Sequence, residues 1–277
     1  MRVVITGATG KVGGEVARLL APVHAVDLRL VGRSLERAPQ IEGAELVRAE
    51  FSDACREAFA GADAVLLVSA GEAADRLDQH RTAITALAES GAKHVVYTSF
   101  LGAGPEAEFT LARDHGATEQ MLRESGVPWT VLRDSFYADV LLDFAGRDRV
   151  IRGPAGSGRC AFVSRRDVAE VAAHILRSPS AWAGRTLGLT GPVAVTLGEA
   201  ALQMTRARGE EYEYVDETLE EARASRAPYG APDWQVDAWI STYTAIASGA
   251  LDVVTDDVAE VLGRAPRTLA EAVADPL

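Results

Sequence analysis

Three glycines spaced Gly7-x-x-Gly10-x-x-Gly13 follow the β-branched run Val3-Val4-Ile5-Thr6 and precede a segment, Glu15–Leu20, that reads as helix. Gly7 permits a tight strand-to-helix turn, Gly10 lets the main chain approach a ligand closely, and Gly13 lets the helix pack tightly on the strand. Such a turn leaves main-chain N–H groups bare at the positive end of a helix. That chemistry suits an anion, above all the pyrophosphate of a dinucleotide. Thr9, Lys11 and Val12 lie in the same turn and complete the set expected to hold it.

The second strand, Leu28–Val31, ends in Gly32-Arg33-Ser34, with Arg37 one helical turn further on. A site for NAD usually carries a carboxylate at this tip, on the ribose hydroxyls. Here Asp27 lies at the wrong end of the strand. A guanidinium suits a 2′-phosphate, through bidentate, charge-assisted hydrogen bonds. The expected cofactor is therefore NADP(H), with Arg33 and Arg37 at the phosphate; the alternative is that both are solvated charges at a helix start. Asp53 either accepts from the adenine amino group or caps the helix that follows. Ser69-Ala70-Gly71 closes the fourth strand, where backbone would line the ribose and nicotinamide.

The elements that must position these residues alternate. Strands are expected at Val3–Thr6, Leu28–Val31, Leu46–Ala49, Ala64–Ser69, His94–Ser99 and Trp129–Arg133. Helices are expected at about 73–90 and 110–125, stopped by Gly91 and Gly126. Strands separated by helices of this length imply right-handed crossovers and a parallel sheet, hence an α/β Rossmann fold, doubly wound. After residue 134 the rhythm changes. A glycine-rich, charged excursion spans 146–158, and a helix follows over 164–176, with Ser164 as its cap. Thr196-x-x-Glu199 and Thr268-x-x-Glu271 match the capping box. A further helix carries Trp234, Trp239 and Tyr243. The expected organisation is a dinucleotide-binding core over 1–150 and a smaller, interleaved domain over 151–277, with the site in the cleft between them.

The 277 residues suffice for a full core, and 28 basic against 40 acidic residues give a net charge of −12, which disfavours nucleic acid as a partner. Cys55 and Cys160 belong to no metal-ligand cluster, so no metal is expected, and reduced thiols fit a cytoplasmic protein. The first strand starts at residue 3, so no signal peptide is expected, and no apolar run reaches membrane-spanning length. Alanine- and arginine-rich usage fits a bacterial source. The partners expected are a small-molecule substrate and at most a second copy, as monomer or homodimer.

Together these residues resemble the NmrA-like group of atypical short-chain dehydrogenases, which includes quinone and triphenylmethane-dye reductases and a non-catalytic nucleotide sensor. The resemblance rests on Gly7–Gly13, on Val31-Gly32-Arg33-Ser34 with Arg37, and on Lys93-His94-Val95-Val96-Tyr97-Thr98-Ser99. It continues through His115 to Glu119, Thr130-Val131-Leu132-Arg133, Phe162-Val163 before Asp167-Val168-Ala169-Glu170, and Leu262-Gly263-Arg264-Ala265-Pro266. It implies that the glycine turn and Arg33 hold NADP, that Ser69, Ser99 and His115 border the nicotinamide, and that Phe136 and Tyr137 line the substrate pocket. Phe100 and Trp239 join that pocket in the expected site.

Typical short-chain dehydrogenases place a catalytic Tyr and Lys four residues apart on one helix face; Leu111 and His115 stand at the matching positions. Leu111 cannot donate a proton. A simple ketone becomes a strongly basic alkoxide on reduction and needs a positioned acid. A quinone becomes a phenolate-type anion, whose conjugate acid has a pKa of about 10 and which solvent can protonate. The expected activity is hence NADPH-dependent reduction of a conjugated, quinone-like or aromatic-ketone molecule; the alternative is a non-catalytic NADP redox sensor. The remaining candidate donors are His115, Ser99 and Tyr137. Each has a structural alternative: a ribose or backbone hydrogen bond for His115, a strand end for Ser99, and packing for Tyr137. Trp239 and Tyr243, at i and i+4, are either core packing or an aromatic substrate wall.

Overall fold

The computed structural model describes residues 1–51 and 55–277, so Asp53 lies outside the described residues. The chain forms β1 (Arg2–Ile5), α1 (Lys11–Leu20), β2 (Asp27–Gly32), β3 (Glu45–Arg48), α2 (Cys55–Phe59), β4 (Ala64–Leu67), α3 (Arg76–Ser90), β5 (Val95–Phe100), α4 (Thr110–Glu124) and β6 (Trp129–Asp134). It continues with α5 (Val140–Ala145), β7 (Val150–Gly153), β8 (Arg159–Cys160), α6 (Arg165–Arg177), β9 (Thr186–Leu189), β10 (Val195–Thr196), α7 (Leu197–Arg208), β11 (Glu213–Asp216), α8 (Leu219–Arg226), α9 (Asp233–Ala247), α10 (Asp257–Leu262) and α11 (Leu269–Ala274).

Seven strands make one parallel sheet in the order β3-β2-β1-β4-β5-β6-β9. The order reverses between β1 and β4, the place where open α/β sheets bind ligands. Alternation along each strand explains why the strands are apolar throughout. Val3 and Ile5 face one layer with α1 and α6, whereas Val4 faces the other with α2, α3 and α4. Ala64 and Leu66 against Val65 and Leu67, and Val96 against Val95 and Tyr97, divide the same way. A sheet covered on both faces has no polar side to encode.

The six strands expected from sequence are present with small shifts at their ends. The seventh, β9, escapes pattern reading because it is four residues long and broken by Gly188. It returns the chain to the sheet beside β6 after residue 150. α6 is capped as expected, with Ser164 Oγ accepting from the Arg166 N–H, and it packs on α1. Both expected capping boxes are formed, and so is a third, Thr218–Glu221, which no apolar run announces in the sequence.

A separate apolar layer covers the C-terminal edge of the sheet, built from Leu141, Ile151, Phe162, Met204, Ile246 and Val273 among others. Two glycines make this layer possible. A Cβ on Gly153 would lie 2.3 Å from the Tyr243 ring, and one on Gly158 would lie 2.1 Å from the Ile246 carbonyl oxygen. The 146–158 excursion is pinned through its strand β7, which pairs in parallel with β11.

The C-terminal tail is fastened by charge. Asp167, fully buried on α6, accepts from the Arg267 N–H at 2.7 Å and from the Arg264 and Arg267 guanidiniums, which Glu170 shares. Removing one partner of a buried ion pair is costly because the remaining charges stay desolvated. Both arginines still reach solvent and keep Glu170. Asp167→Asn should therefore cost about 3 kcal/mol, the lower end of that range, measured by urea unfolding followed at the far-UV helix signal.

Candidate functional site

Because the strands are parallel, their C-terminal ends gather the turns after β1, β2, β4, β5 and β6 on one edge. Two threonines lock the centre of it. Thr6 Oγ1 donates to the Leu66 carbonyl at 3.0 Å and accepts from the Val68 N–H at 2.9 Å. Thr98 Oγ1 accepts from the Ser69 N–H at 2.9 Å.

The glycine turn has the geometry of a phosphate cradle. Gly7 has φ +60°, and the Gly10 N–H closes the turn on the Gly7 carbonyl at 2.9 Å. A Cβ on Gly13 would come within 2.5 Å of that same oxygen. α1 starts at Lys11 with no side-chain cap on its first N–H groups, and Gly10 and Lys11 are exposed. Thr9 packs over Gly32, where a Cβ would lie 3.0 Å from the threonine methyl, so turn and second strand are fitted to each other. An anion is the natural partner of such an end. The residues present fit a dinucleotide pyrophosphate.

Arg33 and Arg37 are exposed, and neither makes an ion pair with a described residue. A third guanidinium joins them. Arg48, at the end of β3, donates to the Arg33 carbonyl at 2.6 Å and lies 3.8 Å from Glu36. Sequence reading misses Arg48, because only the pairing of Gly32 with Arg48 brings it to the tip of β2.

The loop after β4 is held from beneath. His80 Nε2 accepts from the Ala70 N–H at 2.9 Å, and Arg76 Nε donates to the Ala70 carbonyl at 3.0 Å, so both main-chain groups of Ala70 are fixed by α3. The ring proton of His80 therefore sits on Nδ1, facing Thr118 Oγ1 at 2.8 Å. Arg76 is itself buried; it pairs with Asp114 at 3.1 Å and donates to His115 Nε2 at 2.9 Å. Burial, then the Arg76 charge, pushes His80 down to about 3 and His115 well below the ordinary histidine range. Both rings stay neutral. The sequence carries no pattern for this clamp, since Arg76 and His80 read as an ordinary helix start.

The three expected donors are all engaged elsewhere. His115 accepts from Arg76 on Nε2, so its proton is on Nδ1, 2.8 Å from the buried Tyr97 hydroxyl. Ser99 Oγ donates at 2.7 Å to Glu119, a fully buried carboxylate also held by Arg123 and Arg133. Tyr137 Oη donates at 2.7 Å to Asp134, and its ring lies under the Arg165 guanidinium at 5.0 Å. Asp134 is buried, with Oδ1 unpartnered, and desolvation raises its carboxyl to about 8 despite the Tyr137 hydrogen bond.

Two cavities border this edge. The larger, of about 650 Å³, is walled by Phe144, Tyr229, Trp239 and Tyr243, with Glu72 and Arg147 also lining it. The smaller, of about 450 Å³, is lined by Phe100, Phe109 and the loop between β5 and α4. Phe100, Phe109 and Phe136 form one aromatic cluster, with centroids 4.8 to 5.1 Å apart. The structure therefore separates the expected pocket residues: Trp239 is in the larger cavity, Phe100 in the smaller, and Phe136 and Tyr137 line neither. No cluster of metal-ligating residues occurs among the described residues, and no helix among them is long and apolar enough to cross a membrane. Both cysteines are buried, and burial pushes Cys160 up to about 12.

Two outcomes are expected. Arg33→Ala should weaken NADPH binding at least tenfold, because a hydrogen bond to a charged partner is worth about 1.5–3 kcal/mol, and should leave NADH nearly unaffected; fluorescence titration with both nucleotides checks this. The second concerns pH. Asp134 keeps its proton in the folded state up to about 8, but releases it near 4 when unfolded. The folded state thus binds the extra proton, and Asp134 costs stability as pH rises through that window. His80 and His94, the latter pushed down by burial to about 4, act in the opposite sense below their unfolded value of 6.5. His115 acts with them, and all three still oppose Asp134 for about a pH unit above 6.5, so the Asp134 effect is read between pH 6.5 and 8 as a difference from a variant that lacks the carboxyl. Across that interval the urea midpoint of the wild type should fall relative to that of Asp134→Asn, the difference isolating the Asp134 carboxyl.

A family model described as NAD(P)H-binding matches residues 7–179. Quinone oxidoreductase 2 of Escherichia coli is 31% identical over 98% of this chain and 97% of its own; a crystal structure of this quinone oxidoreductase with NADPH superposes with a TM-score of 0.88, covering 99% of both chains. An NAD(P)H azoreductase of Xenophilus azovorans is 30% identical over 97% of this chain and 96% of its own. A Streptomyces griseus (4-alkanoyl-5-oxo-2,5-dihydrofuran-3-yl)methyl phosphate reductase is 34% identical over 96% and 94%. With its uncapped glycine turn at the sheet's reversal point, the chain belongs to the NAD(P)H-binding family of NmrA-like oxidoreductases and is a reductase of that family.

Proposed function

We propose that the chain reduces a planar, conjugated, electron-poor small molecule with NADPH, and that no side chain of the protein acts as the acid. Bound NADPH supplies the hydride. The first N–H groups of α1 hold the pyrophosphate, Arg33, Arg37 and Arg48 hold the 2′-phosphate, and the clamped Ala70 loop presents fixed main-chain groups to the nicotinamide end. The substrate lies in the larger cavity against Trp239, Tyr229 and Phe144.

The observation that carries this reading is the engagement of every expected donor. Both His115 nitrogens and the Ser99 and Tyr137 hydroxyl protons are committed to buried partners. Leu111, on the same face of α4 as His115, has nothing to give. With these donors engaged and the Asp134 carboxyl buried, the site suits an acceptor whose reduced form is a stabilised anion. Quinones and conjugated enones meet that requirement, a hydroxyazo dye meets it as its quinone-hydrazone tautomer, and saturated ketones do not. The relatives' names agree: one is a quinone oxidoreductase, one an azoreductase, and one a reductase of a (4-alkanoyl-5-oxo-2,5-dihydrofuran-3-yl)methyl phosphate, itself a conjugated carbonyl compound.

The test follows NADPH absorbance with naphthoquinone, an azo dye, a cyclic enone and a saturated ketone. Turnover is expected on the first three, with the saturated ketone at least a hundredfold slower, since a positioned acid contributes about 10²–10⁴. Reduction of the saturated ketone alone would overturn the reading. Tight NADPH binding with no turnover on any acceptor would favour the redox sensor instead.

A further inference from the structure

Glu72, in the loop after β4, reaches helix α9. Its Oε2 accepts from Trp239 Nε1 at 3.0 Å and from Gln235 Nε2 at 3.2 Å. Gln235 and Trp239 stand at i and i+4, so one face of α9 brings both donors to one oxygen. A carboxylate accepting from an N–H makes a stronger bond than a neutral acceptor. The other contact that orients the indole is Tyr229, edge-on at 5.8 Å, and that ring is 74% exposed. Glu72 itself sits two residues beyond Ala70, whose N–H and C=O are both fixed by His80 and Arg76. The position of the indole is thus transmitted from a buried clamp through one exposed carboxylate. Glu72 and Trp239 both line the larger cavity.

We propose that Glu72 is a specificity-determining positioning residue: by fixing the Trp239 indole as a rigid wall of the larger cavity, it sets the preference for fused-ring over single-ring acceptors. This rests on the reading that the larger cavity receives the substrate. A fixed indole presents a flat face whose stacking gain grows with the ring area laid on it. An indole free to rotate loses that gain most for the larger rings, because ordering it again costs rotamer entropy. Glu72→Gln keeps an acceptor oxygen without the charge and should preserve most of the wall; Glu72→Ala removes it.

The experiment compares wild type, Glu72→Gln, Glu72→Ala, Trp239→Phe and the double variant Glu72→Ala/Trp239→Phe. It measures kcat and KM for naphthoquinone and benzoquinone, and equilibrium binding of naphthoquinone to the NADP⁺-loaded protein by quenching of tryptophan fluorescence. In Glu72→Ala the naphthoquinone-to-benzoquinone ratio of kcat/KM should fall about fivefold, with the loss mainly in KM, as for an interaction made equally in ground and transition states. Glu72→Gln should restore most of the ratio. Trp239→Phe should lower the ratio as much, and the double variant should go no further, because both changes remove one interaction. An unchanged ratio in Glu72→Ala, an equal loss on both quinones, or additive losses in the double variant would overturn the proposal. The binding arm needs no turnover. Naphthoquinone binding that depends on Glu72, without reduction, would keep the positioning role and sink the reductase reading. No binding in any variant would overturn both.

Discussion

The ligand edge depends on one buried cation. Arg76, on α3, lies buried against α4, where it pairs with Asp114 and donates to His115. Burial first, and the Arg76 charge second, keep His80 and His115 neutral. Neutrality fixes their tautomers, and the tautomers decide what each ring can do. His80 becomes an acceptor for the Ala70 N–H, and His115 an acceptor for Arg76 itself. The same guanidinium that steadies the loop after β4 also engages His115 Nε2.

This constraint joins fold to chemistry. Parallel strands bring the turns after β1 and β4 side by side, and Thr6 and Thr98 hold them there with hydroxyl bridges. From the Arg76 clamp, order passes to Ala70, to Glu72, and across to Trp239 on α9. In the proposed function the protein contributes rigid placement: main-chain donors for phosphates, guanidiniums around the tip of β2, and an aromatic wall. A reduction whose product is a stabilised anion asks for little more.

Much of this was legible in the residues. The glycine spacing, the apolar strands and the arginines at the tip of β2 each follow from a local rule, and each stands where the rule puts it. What local rules could not see is what the strand and helix partners do. Arg48 reaches Arg33 only through the β2–β3 register. The Ser99 and Tyr137 hydroxyls look free in sequence, but their protons go to Glu119 and Asp134, twenty and three residues away. Phe100 and Trp239, grouped as one pocket, fall in two cavities because the loop between β5 and α4 turns Phe100 toward Phe109. β9 was invisible because four residues with a glycine at their centre carry no period.

The central claim is that the protein places the reactants without protonating the product. Solvent and substrate isotope effects measured together test it most directly. With NADPH deuterated at the transferred position and naphthoquinone as acceptor, single-turnover reduction should slow markedly, while the change from H₂O to D₂O should leave the rate almost unaltered. A large solvent isotope effect that disappears in His115→Ala or Tyr137→Phe would show a side-chain acid at work and contradict the account.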